Sequence, residues 1–366
     1  MSGIVKETGL YYYGEKLLKY LKKMSPEIIY IPFNYGIIER RRNLLEKAKS
    51  NLWEQVFLPF EILTNKISIL HGIKNSGLPF IRMCKYVLTL CDVIPLLYPN
   101  QYLKSQTERS IYINRLRASV SVADKIIFLN SHVLKDVTKF VHIPDEKISV
   151  IPLGIDEEDN QKINDKQNFY VRNKYKIGNS PFIFAVGADE PRKNNLTLIK
   201  TFFKLKSEKK IRNFKLVIAG RKWNNPEFDR YVNTLEENIK RDIIFTGHVD
   251  RYELQILYKQ ADIFVFLSLS EGFGLPPLEA MLFGTPVITS NIPVISDVVG
   301  DAGIKVNPLE IKEVSNAIER LIVDKQLRYT LIERGYKRVK IFNFEKTAKL
   351  TLQLYKQLLC EGNVSR

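Results

Sequence analysis

Two acidic residues, Glu271 and Glu279, lie eight positions apart in the stretch SEGFGLPPLE. A carboxylate accepts hydrogen bonds from vicinal hydroxyl groups, so two carboxylates fit a ligand with two polyhydroxylated rings. Gly272 and Gly274 between them allow the backbone to approach such a ligand closely. A ribose and a sugar joined by a diphosphate form a ligand of this kind, with Glu279 on the ribose and Glu271 facing the sugar. For Glu279 the alternative is a favourable charge near a helix N-terminus.

Two cations, Arg192 and Lys193, occur in a second motif, EPRKN. They precede a helix that is predicted to begin near Asn194 or Asn195. The free N–H groups of a helix N-terminus and fixed positive charges attract the same anion, so the motif predicts a diphosphate site. A solvated turn is the structural alternative. The position directly after a predicted buried strand favours binding.

Aliphatic strand-like segments alternate with helix-like segments along the chain and place both motifs at strand ends. The first half contains EIIYIPF, a helix from residue 40 to 63, KISILHG, KYVLTLCDVIPLL, ADKIIFLNS and KISVIPLGID. The second half repeats the alternation from PFIFAVG to GIKVNP. Its predicted helices include NLTLIKTFFKLK, FDRYVNTLEENI over residues 228–239 and RYELQILYKQ. Such a pattern predicts parallel sheets covered on both faces, whose ligands bind beyond the carboxyl ends of the strands.

The predicted fold class is therefore α/β, with two doubly wound domains facing each other across a cleft. The polar stretch after residue 155 lacks a sustained apolar run and is predicted to connect the domains. We predict an N-terminal domain over residues 1–155, a connection over 156–180, a C-terminal nucleotide-sugar domain over 181–345, and a final helix over 346–366 that packs back on the first domain.

Composition and charge restrict the classes of function. The 366 residues are 45% hydrophobic and 26% charged, and no apolar run approaches the length of a membrane span. The N-terminus lacks the apolar block of a secretory signal, which predicts a cytoplasmic protein. The net charge of +16 calls for an anionic partner. Nucleic acid is disfavoured because no nucleic-acid-binding motif accompanies the charge.

The segment over residues 262–308 resembles the most specific block of family 4 retaining glycosyltransferases, which have the GT-B fold. EPRKN, ADKIIFLNS, EKISVIPLGID and GLYYYGEKLLKYL support the resemblance. It implies that Glu279 binds the nucleotide ribose, that Glu271 orients the donor sugar, and that Arg192 and Lys193 neutralise the diphosphate. It implies no metal and no cofactor, because cations and helix N-termini do that work.

The resemblance also carries over the remaining donor-binding positions. These are Gly9, Gly187, the GHV turn formed by Gly247, His248 and Val249, and the loop residues Gly272, Phe273, Gly274 and Leu275. Asp92 joins Glu271, Arg192 and Lys193 as a predicted catalytic group. The resemblance also implies that the N-terminal domain binds the acceptor. Three further residues, His71, Cys91 and Tyr13, are predicted on that acceptor side.

Three departures from the family pattern accompany the resemblance. Only eight residues precede Gly9, where the family has a first strand. Ala188 follows Gly187, where many relatives carry an arginine, so Arg192 is predicted to supply that charge. Cys91 precedes Asp92, where relatives commonly have a histidine placed against the donor sugar.

The segment from residue 37 to 60 places Leu45, Ala48, Leu52 and Val56 on one helical face, with several arginines and lysines nearby. It could lie on an anionic membrane, which would suit a lipid-linked acceptor. The favoured interpretation is that this apolar face packs on the N-terminal sheet and leaves only the basic face free.

These observations predict an enzyme that transfers a hexose of the mannose or glucose type from a nucleoside diphosphate sugar to a glycan or lipid-linked acceptor, with retention. Two other hypotheses remain open at this point. One is an epimerase of nucleoside diphosphate sugars with the same architecture, which would act without an acceptor. The other is a catalytically inactive protein that binds sugar nucleotides, motivated by Cys91 and Ala188.

Overall fold

The computed structural model describes residues 9–32, 49–103, 105–157, 165–187, 190–220 and 226–361. The chain divides into two compact units. Unit 1 consists of Met1–Gly154 and Phe342–Arg366, and unit 2 is Ile155–Ile341. Each unit contains a parallel sheet with helices packed against it, which confirms the predicted α/β class with two parallel sheets.

The sheet of unit 1 has the order β1-β2-β3-β4, and all neighbouring strands are parallel. Its strands are β1 (Ile69–Gly72), β2 (Lys85–Leu90), β3 (Lys125–Phe128) and β4 (Ile148–Val150). In β2 every residue after Lys85 is buried, which is typical of a parallel strand covered on both faces. Four of the predicted strands of the first half are thus present.

The helices of unit 1 connect these strands and flank the sheet. They are α1 (Gly9–Met24), α2 (Leu58–Thr64), α3 (Ile94–Leu97), α4 (Pro99–Tyr102), α5 (Gln106–Val122), α6 (Ser131–Thr138) and the C-terminal α16 (Phe344–Glu361). Residues 49–52 are helical, and a π-helical turn, Trp53–Phe57, joins them to α2. A short 3-10 turn, Asp145–Lys147, precedes β4.

The predicted strand EIIYIPF is not observed, because residues 29–32 have no strand pairing. Ser25 and Pro26 begin a turn after α1, and Pro32 lacks the N–H group that a sheet ladder needs. Phe33 and the first part of the predicted helix from residue 40 lie outside the described residues.

The prediction that Leu52 and Val56 pack on the sheet is wrong. Their side chains are 53% and 54% exposed, whereas Glu54, Leu58 and Ile62 are buried. These three residues are four positions apart and lie on one helical face. This face is buried because Glu54 forms ion pairs with Lys74 and Arg115 inside unit 1. Leu45 and Ala48 lie outside the described residues.

The C-terminal helix α16 packs against α1 in unit 1. The rings of Tyr12 and Phe344 meet edge to face with centroids 5.6 Å apart. The hydroxyl of Thr347 donates a 2.8 Å hydrogen bond to the carbonyl oxygen of Pro152. A side chain at Gly154 would meet the backbone of Asn343 at 2.3 Å, so this close approach requires glycine. The end of the chain is thereby part of unit 1.

The sheet of unit 2 has the order β10-β9-β8-β5-β6-β7, again with all neighbours parallel. Its strands are β5 (Phe182–Val186), β6 (Lys215–Ala219), β7 (Ile243–Phe245), β8 (Ile263–Phe266), β9 (Val287–Ser290) and β10 (Gly303–Val306). The central strand β5 pairs with both β6 and β8, so the strand order reverses between β5 and β8. In open sheets of this kind the crevice at that reversal is where ligands bind.

The helices of unit 2 follow its strands, and most match predicted segments. They are α7 (Asp165–Lys174), α8 (Asn195–Ser207), α9 (Pro226–Thr234), α10 (Glu237–Arg241), α11 (Arg251–Gln260), α12 (Leu275–Leu282), α13 (Pro293–Val299), α14 (Ile311–Val323) and α15 (Lys325–Ile341). The single helix predicted over residues 228–239 is interrupted between α9 and α10.

Part of the predicted connection over residues 156–180 is the helix α7, which packs on α11. Val171 and Tyr175 are buried four positions apart, and this spacing places them on one helical face. The hydroxyl of Tyr175 donates a 2.6 Å hydrogen bond to Glu253. The apolar face of α7 is too narrow to appear as a sustained apolar run in the sequence.

No helix in the described ranges is long and apolar enough to cross a membrane.

Candidate functional site

The two sequence motifs meet at the point where the strand order of unit 2 reverses. The EPRKN motif follows β5 and forms a 3-10 turn, Pro191–Lys193, and the SEGFG loop follows β8. The N–H of Leu269 donates a 2.7 Å hydrogen bond to the carbonyl oxygen of Arg192. The guanidinium of Arg192 donates a 2.9 Å hydrogen bond to the carbonyl oxygen of Ser270. The turn and the loop therefore hold each other in place.

Arg192, Lys193 and Glu271 form a compact charged triad. One carboxylate oxygen of Glu271 lies 2.5 Å from Nη1 of Arg192 and 2.6 Å from Nζ of Lys193. The hydroxyl of Ser268 donates a further 2.6 Å hydrogen bond to the same oxygen. Arg192 also pairs with Glu190 at 2.6 Å. The structure thus brings together three of the four residues that the sequence predicts as catalytic.

Burial shifts the protonation equilibria of this triad. Burial lowers the pKa of Lys193, and Glu271 opposes that shift. Burial acts to raise the pKa of Glu271, but the charges of Lys193 and Arg192 outweigh it and hold this pKa below its ordinary value. The ammonium of Lys193 also lies 4.5 Å from the ring centroid of Phe266. The triad therefore pairs one carboxylate with two basic side chains in a mostly buried place.

Two glycines are required by this arrangement. Gly187 has a φ of +82°, and a Cβ there would meet Cγ of Lys193 at 2.7 Å. Gly274 has a φ of +107°, and a Cβ there would meet Cδ1 of Ile295 at 2.6 Å. Side chains rarely tolerate either the backbone angle or the clash. Gly187 thus lets the Lys193 side chain lie against the end of β5, and Gly274 lets the loop enter α12.

Glu279 lies in α12 with a side chain engaged by two residues that the sequence reasoning missed. It is 6% exposed, Arg251 pairs with one of its oxygens, and the Tyr258 hydroxyl donates a 2.9 Å hydrogen bond to the other. Burial, and next the charge of Glu279, raise the pKa of Tyr258 well above its ordinary value. Arg251 lies two residues after the predicted GHV turn, and this position in the sequence could have identified it as a residue near the donor site.

The GHV turn follows β7 at the edge of the sheet. Gly247 has a φ of +71°, and its carbonyl oxygen accepts a 2.9 Å hydrogen bond from the N–H of Gly220. His248 is exposed and Val249 is half-buried. Because Arg251 lies two residues further on and pairs with Glu279, the turn is near the predicted ribose-binding carboxylate.

The loop residues between the two acids differ in exposure. Phe273 is buried at 5% exposure, whereas Gly272 and Leu275 are half-buried. Leu275 is the first residue of α12, and prolines occupy the first helical turn, where a missing N–H leaves no helical hydrogen bond unmade. The N-terminus of α12 therefore directly follows the glycine loop that carries Glu271.

The residues predicted on the acceptor side belong to unit 1. His71 is held at both ring nitrogens, with Nδ1 2.5 Å from the Tyr355 hydroxyl and Nε2 2.7 Å from Oγ1 of Thr89. Burial lowers the pKa of His71 to about 3. Tyr13 is 1% exposed, and its ring stacks on Phe344 with centroids 6.5 Å apart. Packing and internal hydrogen bonds explain the positions of both side chains without an acceptor.

Cys91 and Asp92 follow β2. Cys91 is buried, and burial raises the pKa of its thiol. Its N–H donates a 3.0 Å hydrogen bond to Oδ1 of Asn75, and the carboxylate of Asp92 accepts a 3.1 Å hydrogen bond from the N–H of Ile94. Gly9 begins α1, where a Cβ would meet nothing within 4 Å. Ala188 lies outside the described residues.

In the described ranges no group of three or more His, Cys, Asp or Glu side chains could hold a metal ion.

Comparisons with known proteins match the motif-bearing half of the chain most directly. The family model described as "Glycosyl transferases group 1" matches residues 167–338. O-antigen chain mannosyltransferase B of Escherichia coli is 30% identical over 293 residues, which are 79% of this chain and 74% of that protein. Serotype-specific mannosyltransferase WbdA of Escherichia coli is 29% identical over 75% of this chain, which spans only 34% of that relative.

Solved structures share the fold over nearly the whole chain. Sucrose-phosphate synthase from Thermosynechococcus elongatus superposes with a TM-score of 0.74 at 21% identity, covering 97% of this chain and 94% of that one. Anabaena Alr3699/HepE, solved in complex with UDP-glucose, superposes with a TM-score of 0.73 at 17% identity and 97% coverage of both chains. The predicted GT-B fold is confirmed by these similarities.

Proposed function

Because the chain belongs to the glycosyl transferases group 1 family, we propose that it transfers a hexose from a nucleoside diphosphate sugar to a glycan or lipid-linked acceptor, with retention of the anomeric configuration. The names of the Escherichia coli relatives support mannose as the first sugar to test. The observation that carries the proposal is the triad of Arg192, Lys193 and Glu271 at the strand-order reversal of unit 2.

The two cations are proposed to bind the diphosphate of the donor. A departing nucleoside diphosphate gains negative charge as the glycosidic bond breaks, and fixed cations in a mostly buried place stabilise that charge strongly. Lys193 carries three N–H donors and Arg192 carries five, so each can bind phosphate oxygens while it still pairs with Glu271. This division of labour needs no metal ion.

The two carboxylates are proposed to bind hydroxyl groups at the two ends of the donor. Glu279 accepts hydrogen bonds from the ribose, and Arg251 and Tyr258 hold its carboxylate in position. Glu271 is held by Lys193 and keeps acceptor capacity for a sugar hydroxyl, as does the glycine loop through its N–H groups. Retention then follows from attack on the face that the diphosphate leaves, with a phosphate oxygen taking the acceptor proton.

Binding and turnover measurements test this proposal directly. Thermal shifts with GDP, UDP, ADP and their hexose conjugates identify the donor, because a ligand stabilises the fold according to its concentration and affinity. Turnover is then measured with that donor and mannose-terminated or lipid-linked acceptors, and the product configuration is read by NMR. Donor-only incubations and EDTA-treated samples are the controls.

Retained configuration with EDTA-insensitive turnover is the expected result. An inverted product would contradict the retaining mechanism, and loss of turnover with EDTA would contradict metal independence. A donor that binds without transfer to any acceptor would contradict the enzyme itself.

Cytoplasmic localisation is part of the proposal, with peripheral association at the inner face of the membrane. A cytoplasmic site gives the protein access to nucleoside diphosphate sugars. A lipid-linked acceptor would require the protein to reach a membrane surface.

A further inference from the structure

The helical segment over residues 49–64 exposes large apolar side chains on one face. Spacings of three or four residues align side chains along a helix. The exposed fractions are 53% for Leu52, 54% for Val56, 53% for Phe57, 64% for Phe60 and 58% for Leu63. Single exposed apolar residues are ordinary on soluble proteins, but a row of them marks an interaction surface. We call these five residues the outer face.

Buried charges fix the orientation of this segment. Glu54 is fully buried, pairs with Lys74, and lies 2.8 Å from the guanidinium of Arg115. Leu58 and Ile62 are buried on the same side. Rolling the helix to bury the outer face would expose these two residues and separate a buried carboxylate from its cations, which is strongly unfavourable. The outer face therefore stays exposed.

A neighbouring loop extends the apolar surface. Gln55 holds the loop with both ends of its amide, since it accepts a 2.9 Å hydrogen bond from the N–H of Phe80 and donates a 3.2 Å hydrogen bond to the carbonyl oxygen of Leu78. The side chains of Phe80 and Ile81 are 56% and 65% exposed. The loop thus adds two large apolar side chains beside the helix.

The charges around this surface are mainly positive. Lys49, Lys66 and Arg82 are exposed, and residues 49–91 contain five Lys or Arg residues against two acids, the buried Glu54 and the exposed Glu61. Apolar side chains among cations suit a membrane interface with anionic lipids, because the cations bind lipid phosphates while the apolar groups leave water. A symmetric contact with a second copy would place this basic surface against itself.

A cavity on the inner side of the same helical segment also favours a lipid partner. It has a volume of about 760 Å³ and is lined by Trp53, Leu58 and aliphatic residues of α1 and β1. Ile29, which also lines it, is 86% exposed. An open apolar cavity of this size can take up a hydrocarbon chain. A flat protein partner would leave it unfilled.

We propose that the outer face, together with Phe80 and Ile81, docks onto an anionic lipid bilayer. The apolar side chains enter the headgroup region and the surrounding cations bind lipid phosphates. This surface belongs to unit 1 and contains none of the residues proposed to bind the donor. Bilayer binding can therefore be tested without donor or acceptor, and its failure would leave the proposed sugar transfer untouched.

Vesicle flotation with the full chain tests the surface. We expect binding to vesicles of phosphatidylcholine with 30% phosphatidylglycerol, weaker binding in 0.5 M salt, and little binding to phosphatidylcholine alone. The variant Leu52→Ser/Val56→Ser/Phe60→Ser/Leu63→Ser should bind at least tenfold more weakly. The matched control Leu309→Ser/Val323→Ser removes side chains that are 63% and 80% exposed in unit 2 and should bind like the wild type. Circular dichroism verifies that all variants fold.

A fluorescent reporter gives a second readout that does not depend on loss of binding. Phe60→Trp and Leu309→Trp are made in a Trp53→Phe/Trp223→Phe background, so that the new indole is the reporter. The indole at position 60 should shift to shorter wavelength when anionic vesicles are added, and the indole at position 309 should not. No vesicle binding by the wild type, or equal binding by the fourfold variant, would overturn the proposal. So would a wild-type dimer that the fourfold variant converts to monomer, because the outer face would then bind a second copy.

Discussion

The strand ends of the two units contain polar residues of contrasting kinds. In unit 2 the groups after β5 and β8 are charged, and Arg192 and Lys193 converge on Glu271. In unit 1 side chains of β1 and β2 form a neutral network, in which His71 forms hydrogen bonds to Thr89 and Tyr355. The carboxylate of Asp92, just after β2, accepts a hydrogen bond from the N–H of Ile94 in its own loop. Two parallel sheets, each covered by helices, thus carry different kinds of side chains at their strand ends.

This difference between the charged triad of unit 2 and the neutral network of unit 1 indicates which unit binds an anionic ligand. Keeping charges away from water is unfavourable unless they are paired, and a buried pair is rarely worth more than the apolar residues it replaces. The triad of unit 2 is therefore poor evidence for stability and better evidence for binding an anion. The network of unit 1 satisfies its own hydrogen-bonding groups, which accounts for it as structure.

The largest expected effect is that of Lys193→Ala on turnover. Removing one fixed donor of transition-state charge lowers kcat by about 100- to 1,000-fold. Arg192 and Ser268 still bind Glu271, so the variant should fold. Turnover is measured at saturating donor, with melting temperature as the check on folding. The control is Lys204→Ala on α8, whose side chain is 39% exposed.

A folded Lys193→Ala variant with turnover within threefold of the wild type would remove the contrast between the units, because the triad would then be only structural.

Replacing Gly274 by alanine should be the next largest change, and it acts on the stability of unit 2. The positive φ costs about 1–2 kcal/mol for an L-residue, and the clash with Cδ1 of Ile295 adds about 1–3 kcal/mol. Ile295→Val removes that methyl group at a cost of about 1 kcal/mol. In urea unfolding the double variant should be less destabilised than the sum of the single variants. Additive effects would mean that Ile295 does not limit the loop.

The sequence predicted unit 2 better than unit 1 for a physical reason. Its strands are aliphatic runs bounded by glycine or polar turns, and α11 follows the segment RYELQILYKQ from its first residue to its last. The donor motifs are short and contiguous, so Arg192, Lys193 and Glu271 could be placed at strand ends from the sequence, and the family resemblance implied that they bind one donor. Arg251 and Tyr258 were missed because their contacts with Glu279 depend on how α11 and α12 pack.

In unit 1 the periodicity of the apolar residues was less informative. Leu52 and Val56 have the spacing of a buried face, but Glu54 occupies the buried position instead. A carboxylate is buried there only because Lys74 and Arg115 reach it from distant parts of the chain. The sequence contains no local sign of such partners. The burial of Tyr13 against Phe344 has the same cause, since the partner comes from the C-terminal helix.

A third prediction uses the pH dependence of unit 1. His71 has a pKa of about 3 in the fold, against about 6.5 when unfolded, so between these values only the unfolded state binds the proton. The free energy of unfolding should therefore fall by about 1.4 kcal/mol per pH unit below pH 6.5, and by about 2 kcal/mol at pH 5.

The measurement is urea unfolding of unit 1 at pH 7.5 and pH 5. It uses Trp53 fluorescence in a Trp223→Phe background, because the sequence has only these two tryptophans. His71→Gln should reduce the difference between the two pH values by about 2 kcal/mol. An unchanged difference would show that His71 can be protonated in the fold, and the neutral network of unit 1 would then be the wrong description.

The smallest expected effect separates positioning from binding within unit 2. Tyr258→Phe keeps the buried ring and removes only the hydroxyl that donates to Glu279. The free energy of unfolding should therefore fall by about 1 kcal/mol. Arg251 still pairs with the carboxylate of Glu279 in this variant. The loss of the hydroxyl should therefore lower nucleotide affinity only about three- to tenfold and leave kcat unchanged. Calorimetric titration with the nucleoside diphosphate measures the affinity. If Glu279 served only the fold, Tyr258→Phe would lower stability by the same amount while the affinity stayed at the wild-type value.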